Sequence, residues 1–163
     1  MLLNTPMAMN YFEIFGIPAS YNLDVSHLTE AYLQKQGRSH PDVGGGASDS
    51  EDSALLNVAY GTLLNPLKRA EYLLNLDGSD ISATSSDDTA AKIFELREKW
   101  ASLESRGERA RFCGELRRRT SDLIDSLGKH EKNPEEFRKI FCELRYVDAF
   151  LEKVADGDDG GWY

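Results

Sequence analysis

Gln36-Gly37-Arg38-Ser39-His40-Pro41-Asp42-Val43-Gly44-Gly45-Gly46 is the stretch on which the reading of this chain turns. A helical pattern ends near Gln36, and a glycine-rich run opens at Val43. Pro41 lacks the amide hydrogen that a helix needs, and it biases His40 away from helical angles. His40 and Asp42 are therefore expected on a stiff, exposed turn between two helices. Three residues alone are a weak signal, so their meaning depends on what flanks them.

Outward from that turn the chain reads as all-α. Tyr11–Phe15 is a short apolar turn or helix, stopped by Gly16 and Pro18. Asp24 fits the N-cap of a helix with Val25, Leu28, Ala31 and Tyr32 on one face. A third helix is expected from near Ser50–Ser53, carrying Leu55, Ala59, Thr62 and Leu63. Asn65-Pro66 reads as the cap and first position of a fourth, through Leu67, Ala70, Tyr72 and Leu74, which Asp77-Gly78 ends.

Residues 79–86 are rich in Ser, Asp and Thr and read as a linker. Three longer patterns follow. The first opens at Asp87 or Asp88, with Ile93, Leu96, Trp100 and Leu103. The second carries Cys113, Leu116, Thr120, Leu123, Ile124 and Leu127. The third starts at Asn133-Pro134-Glu135-Glu136 and carries Phe137, Ile140, Phe141, Leu144, Val147, Leu151 and Val154. Short connections between them favour an antiparallel three-helix bundle over 87–154. Residues 155–163 are acidic and glycine-rich, and a flexible tail is expected there.

The chain has 163 residues and a net charge of −9, with 4 basic and 9 acidic side chains in residues 1–78 and 15 and 19 in residues 79–163. That balance argues against broad binding to nucleic acid or anionic membrane, which demands excess Lys and Arg. Cys113 and Cys142 have no second Cys or His at ligand spacing and read as small core residues in a reducing compartment. Met1–Met9 holds no basic residue, which fits neither a signal nor a mitochondrial transit peptide. A bacterial cytoplasmic location is expected over a mitochondrial matrix. No run is long and apolar enough to span a membrane.

The flanks of His40-Pro41-Asp42 resemble those of a J-domain, the module that stimulates ATP hydrolysis by DnaK-class chaperones. Asn57-Val58-Ala59-Tyr60-Gly61-Thr62-Leu63, then Pro66 and Lys68-Arg69-Ala70-Glu71-Tyr72, resemble the third and fourth J-domain helices. Tyr11-Phe12-Glu13-Ile14-Phe15-Gly16-Ile17-Pro18 resembles its opening. Pro66-Leu67-Lys68-Arg69-Ala70-Glu71-Tyr72-Leu73-Leu74, Glu95-Leu96-Arg97-Glu98 and Leu144-Arg145-Tyr146-Val147-Asp148 are similar to segments of the HscB family. This is the family of iron–sulfur cluster assembly co-chaperones. The resemblance covers about residues 9 to 154. It implies a J-domain at 9–78, a linker at 79–86 and a scaffold-binding bundle at 87–154.

The partners the resemblance implies are a DnaK-class ATPase chaperone of the HscA type and an iron–sulfur scaffold protein of the IscU type. It implies a monomer that activates a partner's ATPase, without being an enzyme or holding a cofactor or metal. His40, Pro41 and Asp42 would contact the ATPase, with Asp42 pairing an Arg in a charge-assisted bond. Lys35 and Arg38 would add the basic contact of the second helix, opposed by Glu30. Val43 stands where the family usually has Lys or Arg. A weaker, less salt-dependent encounter is expected.

The bundle offers an independent indication. At about 100° per residue, Tyr146 lies roughly 135° from the core direction of the last helix. Phe94 lies roughly 140° from that of the first, beside Ala91, Glu98 and Ala101. Off-core aromatics beside small residues are a candidate binding patch, although isolated surface rings are also common. The family's scaffold-binding positions fall on Phe94, Glu95, Glu98 and Tyr146. Its two bulky apolar residues one turn earlier are Ala90 and Ala91 here.

Other readings carry less. A His40–Asp42 catalytic pair, even with Ser39 adjacent, lacks a third orienting group. His27, His40 and Asp42 have no metal-ligand spacing. Arg117-Arg118-Arg119 fans over different faces of a helix and reads as solvated surface. The serious alternative is a general J-domain co-chaperone delivering protein clients. A non-chaperone adaptor would keep the bundle site without stimulating an ATPase.

Overall fold

A computed structural model describes residues 10–38, 48–79 and 87–155. Among them are seven α-helices and no strand: α1 (Tyr11–Phe15), α2 (Val25–Arg38), α3 (Ser48–Leu64), α4 (Pro66–Leu76), α5 (Asp87–Ala101), α6 (Arg106–His130) and α7 (Pro134–Ala155). The architecture is all-α, with a J-domain-type helical hairpin followed by a helical bundle. The chain divides into two compact units, Met1–Arg69 and Ala70–Tyr163, with the division inside α4. His40, Pro41 and Asp42 lie outside the described residues. So do the expected linker beyond Ser79 and the expected tail beyond Ala155.

The caps explain why the first helices begin and end where they do. Asn10 and Glu13 form a reciprocal capping box at α1, each backbone amide donating to the other's side chain at 3.0 Å. Gly16 closes α1 at φ +65°, which a side-chain-bearing residue rarely adopts. The Asp24 carboxylate accepts from the amides of Ser26 at 2.8 Å and His27 at 3.3 Å, as the sequence led one to expect. Asn65 Oδ1 likewise accepts from Lys68 N at 3.0 Å at the start of α4. Gly78, at φ +71°, ends α4 in a Schellman motif: Ser79 N–H reaches Leu74 O at 3.0 Å and Gly78 N–H reaches Asn75 O at 3.2 Å.

In the first unit α2 and α3 form an antiparallel hairpin. Tyr32 stacks on Tyr60 with ring centroids 4.1 Å apart, and Phe15 of α1 meets Tyr60 edge-on at 6.5 Å. Phe12, Phe15, Leu28, Leu56, Ala59 and Leu63 are buried. The expected core position Leu55 is 47% exposed, and Leu56 is buried in its place. The reason is that α3 carries apolar residues on more than one side, so periodicity could not choose between adjacent leucines. Val25, expected on the core stripe of α2, is also largely exposed, because it is the helix's first residue.

Arg69 is buried at the start of α4. Its Nη1 donates to the carbonyl of Leu63 at 2.8 Å, and its guanidinium lies 4.9 Å from the centre of the Tyr21 ring. The last carbonyls of a helix have no intrahelical donor, and a buried charge must be paired. One side chain meets both demands at the α3–α4 turn.

In the second unit α5 and α6 both pack on α7. Phe112 meets Phe150 edge-on at 6.0 Å, and Arg119 Nε donates to Glu143 at 2.7 Å, so α6 and α7 run antiparallel. Ser105 and Glu108 form a capping box at α6. The Ser105 backbone hydrogen bond, foremost among several contacts, holds the Glu108 carboxyl below its ordinary range. Asn133 Oδ1 accepts from Glu136 N at 3.3 Å and opens α7. Cys113 and Cys142 are free thiols and both are buried, as expected of small core residues.

Two features depart from the sequence reading of the bundle. Phe112 and Phe150, absent from the expected core, are buried and form an aromatic cluster with Trp100. Conversely, no residue of α5 from Ala91 to Ala101 is buried; Ile93, Leu96 and Trp100 are half-covered, as is Leu103 just beyond.

The Arg69 contacts give a direct expectation. Arg69→Ala should destabilise the first unit by about 2–4 kcal/mol, since it strands the Leu63 carbonyl and uncovers Tyr21. Arg69→Lys should recover only part, because an ammonium cannot present the same planar fork. Urea unfolding of the two variants measures both effects, and equal stability of Arg69→Ala and the parent would refute the role.

Candidate functional site

Side-chain hydrogen bonds join the two helices of the hairpin, α2 and α3. Gln36 Nε2 donates to Tyr32 Oη at 2.8 Å, and Tyr32 Oη donates to Asn57 Oδ1 at 2.9 Å. Thr29 Oγ1 lies 3.2 Å from Tyr60 Oη. These bonds tie α2 to α3 and fix the two helices against each other. Lys35 is exposed on α2, as are Glu30, Leu33 and Gln34. Arg38 is the final residue of α2. The side of the hairpin that leads into the turn is thus mixed in charge, with Glu30 and Lys35 both at the surface.

On the bundle, Ala91, Phe94, Glu98 and Ala101 succeed one another at three- and four-residue spacing and are all exposed. Phe94 is 57% exposed, and Glu95 beside it is exposed as well. The face therefore has one large ring at its centre, small residues above and below, and carboxylates at its edge. Such a surface suits a partner with an apolar pocket rimmed by cations or amide donors. Ala90, expected beside Ala91, begins outside the residues whose side chains are described.

Tyr146 is placed differently from the helical-wheel expectation. It is half-buried and packs against the cluster of Phe112, Leu116, Val147 and Phe150. The physical reason lies in α7 itself: no residue from Ile140 to Asp148 is exposed, and even Cys142 is buried. A helix with cover on more than one side has no single core direction, so the angle measured from one stripe overstated how far Tyr146 stands from its neighbours. The structure thus brings Ala91, Phe94, Glu95 and Glu98 together on α5, and sets Tyr146 into the packed surface of α7.

Sequence reasoning missed Arg69 as a positioning residue. The signal was present: an arginine three residues beyond a helix-ending Asn-Pro step, with carbonyls of the preceding helix in reach. Among the described residues no group of His, Cys, Asp and Glu is arranged to hold a metal ion. Among them, too, no helix is long and apolar enough to cross a membrane.

Comparison with known proteins places this arrangement among relatives. The chain is 34% identical over 167 residues to the co-chaperone protein HscB homolog of Aeromonas hydrophila, covering 93% of this chain and 97% of that one. No family model matches it. The crystal structure of human co-chaperone protein HscB superimposes with a TM-score of 0.77 at 26% identity, over 94% of this chain and 84% of the other. The chaperone HscB from Vibrio cholerae gives 0.74 at 27% identity, over 91% and 99%.

The contrast between the two rings is open to measurement. Phe94→Ala should change unfolding free energy by no more than about 0.5 kcal/mol, as for other exposed sites. Phe150→Ala should cost about 3–5 kcal/mol. Tyr146→Ala should fall between them. Chemical denaturation of the three variants decides the order, and a Phe94 cost equal to that of Phe150 would mean that the α5 face is covered.

Proposed function

The chain belongs to the HscB co-chaperone family, and from that membership we propose that it couples a DnaK-class ATPase chaperone of the HscA type to an iron–sulfur scaffold protein of the IscU type. The J-domain engages the nucleotide-bound chaperone through His40, Pro41 and Asp42. Asp42 pairs with an arginine of the ATPase, Pro41 fixes the turn, and His40 packs against the partner and orients it. Lys35 and Arg38 add the only cationic contacts α2 offers. With Glu30 beside them, the encounter depends less on ionic strength than a strongly basic helix would make it.

The bundle face of Ala91, Phe94, Glu95 and Glu98, with Tyr146, holds the scaffold. The single observation that carries this reading is the exposure of Phe94 amid small residues on a helix whose Ile93, Leu96 and Trp100 are half-covered. A large ring in an exposed setting is the residue type that anchors interfaces. Joining the two activities in one chain raises the local concentration of scaffold near the ATPase without any new contact. Hydrolysis then traps the scaffold on the chaperone. The bond-breaking chemistry belongs to the partner ATPase, and this chain acts as its activator. The setting proposed is the bacterial cytoplasm.

Two measurements test the proposal. Replacing His40, Pro41 and Asp42 together by Ala should abolish stimulation of the chaperone's ATP hydrolysis while leaving thermal unfolding nearly unchanged. Retained stimulation would sink the J-domain mechanism. Phe94→Ala and Tyr146→Ala should each weaken scaffold binding by about 1–3 kcal/mol in calorimetric titration. Unchanged affinity in both, with stimulation intact, would instead describe a general J-domain co-chaperone that presents clients without this face.

A further inference from the structure

Arg117, Arg118 and Arg119 are consecutive, yet the structure gives the last of them a different setting. Arg119 reaches from α6 to α7, where its Nε donates to Glu143 Oε1 at 2.7 Å and its Nη2 pairs with the same oxygen. The Glu143 side chain is 25% exposed and that of Arg119 56%. An arginine gripped along one edge and this open elsewhere keeps guanidinium donors for a partner. The pair is also one rung of a ladder. Phe112 of α6 meets Phe150 of α7, and the register that joins them also joins Arg119 to Glu143. That register sets Leu116 level with Tyr146, and both belong to one cluster. On each helix the three positions follow at three- and four-residue spacing, so they line one side. Tyr146 therefore stands between an aromatic rung and an ionic one. The Glu143 hydrogen bond, foremost among several contacts, holds the Arg119 guanidinium above its ordinary range. Tyr146 is one of the lesser contributors, so its phenol lies within electrostatic reach of that cation.

We propose that Arg119, held by Glu143 beside Tyr146, is a specificity-determining contact of the scaffold face and takes a carboxylate of the scaffold protein. The proposal rests on the reading that Tyr146 belongs to that face. A planar guanidinium matches a carboxylate better than any other acceptor, because two parallel N–H bonds fit its two oxygens. The grip of Glu143 fixes the plane before the partner arrives, so little side-chain freedom is lost on binding. The charge on α5 is of the opposite kind, since Phe94 is flanked there by the exposed carboxylates of Glu95 and Glu98. A partner that offers cations or amides to α5 and a carboxylate to Arg119 meets the face in one direction. Turned end for end, it sets like charges against each other.

Calorimetric titration of the full chain with the scaffold protein tests the proposal, comparing Arg119→Gln and Arg119→Lys with Phe94→Ala and Tyr146→Ala. Arg119→Gln should weaken binding about fivefold, with a melting temperature close to the parent's. Added salt should narrow that gap, because part of it is repulsion between the uncovered Glu143 and the partner's carboxylate. A residue that only braced Tyr146 would give a gap indifferent to salt. Arg119→Lys should recover part of the affinity, since it keeps the charge and loses the planar fork. Parent-like binding by Arg119→Gln, while Phe94→Ala and Tyr146→Ala bind weakly, overturns the role of Arg119 and leaves the scaffold face standing. A salt-independent gap overturns it too. Unchanged affinity in every variant removes the face itself, and the proposal with it.

Discussion

Among the described residues one charged side chain is buried, that of Arg69, and the geometry of the first unit turns on it. A guanidinium enclosed in protein must find acceptors or face a large desolvation cost. The carbonyl of Leu63 and the face of Tyr21 supply that environment, and they come from α3 and from the loop before α2. The same contact therefore fixes the angle at which α4 leaves α3 and pins the connection between α1 and α2. With those held, α1, α3 and the start of α4 keep a fixed arrangement. A neutral side chain of equal length would fill the space without setting the direction.

The bundle is organised by a different constraint. α7 is covered along Ile140–Asp148 on more than one side, whereas α5 from Ala91 to Ala101 has half-buried residues but none fully buried. The Trp100, Phe112 and Phe150 rings meet at 6.0–6.5 Å and secure one end of α5. Arg109 reinforces that end by resting on Trp100 and donating to the Leu103 carbonyl. The helix that carries Phe94 is thus anchored near its C-terminal end and, from Ala91 to Leu96, is at most half-covered. Elements with little buried apolar contact open at lower free energy than the core. A binding face carried on such an element adapts to its partner more readily than one built on α7.

Much of this architecture was legible in the sequence, because local chemistry fixed it. Asp24, Asn65 and Asn133 accept from amides in the first turn of the helices they precede, and Gly16 and Gly78 take the left-handed conformation their positions imply. The exposure of Phe94 was legible too, since α5 has cover on one side and a helical wheel holds there. What sequence could not resolve arose where cover comes from several directions. On α3 the inner leucine could not be told from its neighbour. On α7 Tyr146 and Phe150 were misplaced because the wheel assumes one buried stripe. Arg69 escaped notice because its partners are a backbone carbonyl and a ring distant along the chain.

The two buried thiols carry a consequence for work beside metal clusters. Iron–sulfur centres are held by accessible thiolates, and any exposed cysteine on a neighbouring protein competes for iron or exchanges with a sulfur ligand. Cys113 of α6 and Cys142 of α7 are both buried. Little of either residue meets solvent while those helices stay packed. The rate at which these sulfurs are alkylated consequently reports opening of the bundle interior, and a native bundle offers metal clusters little thiol to compete with.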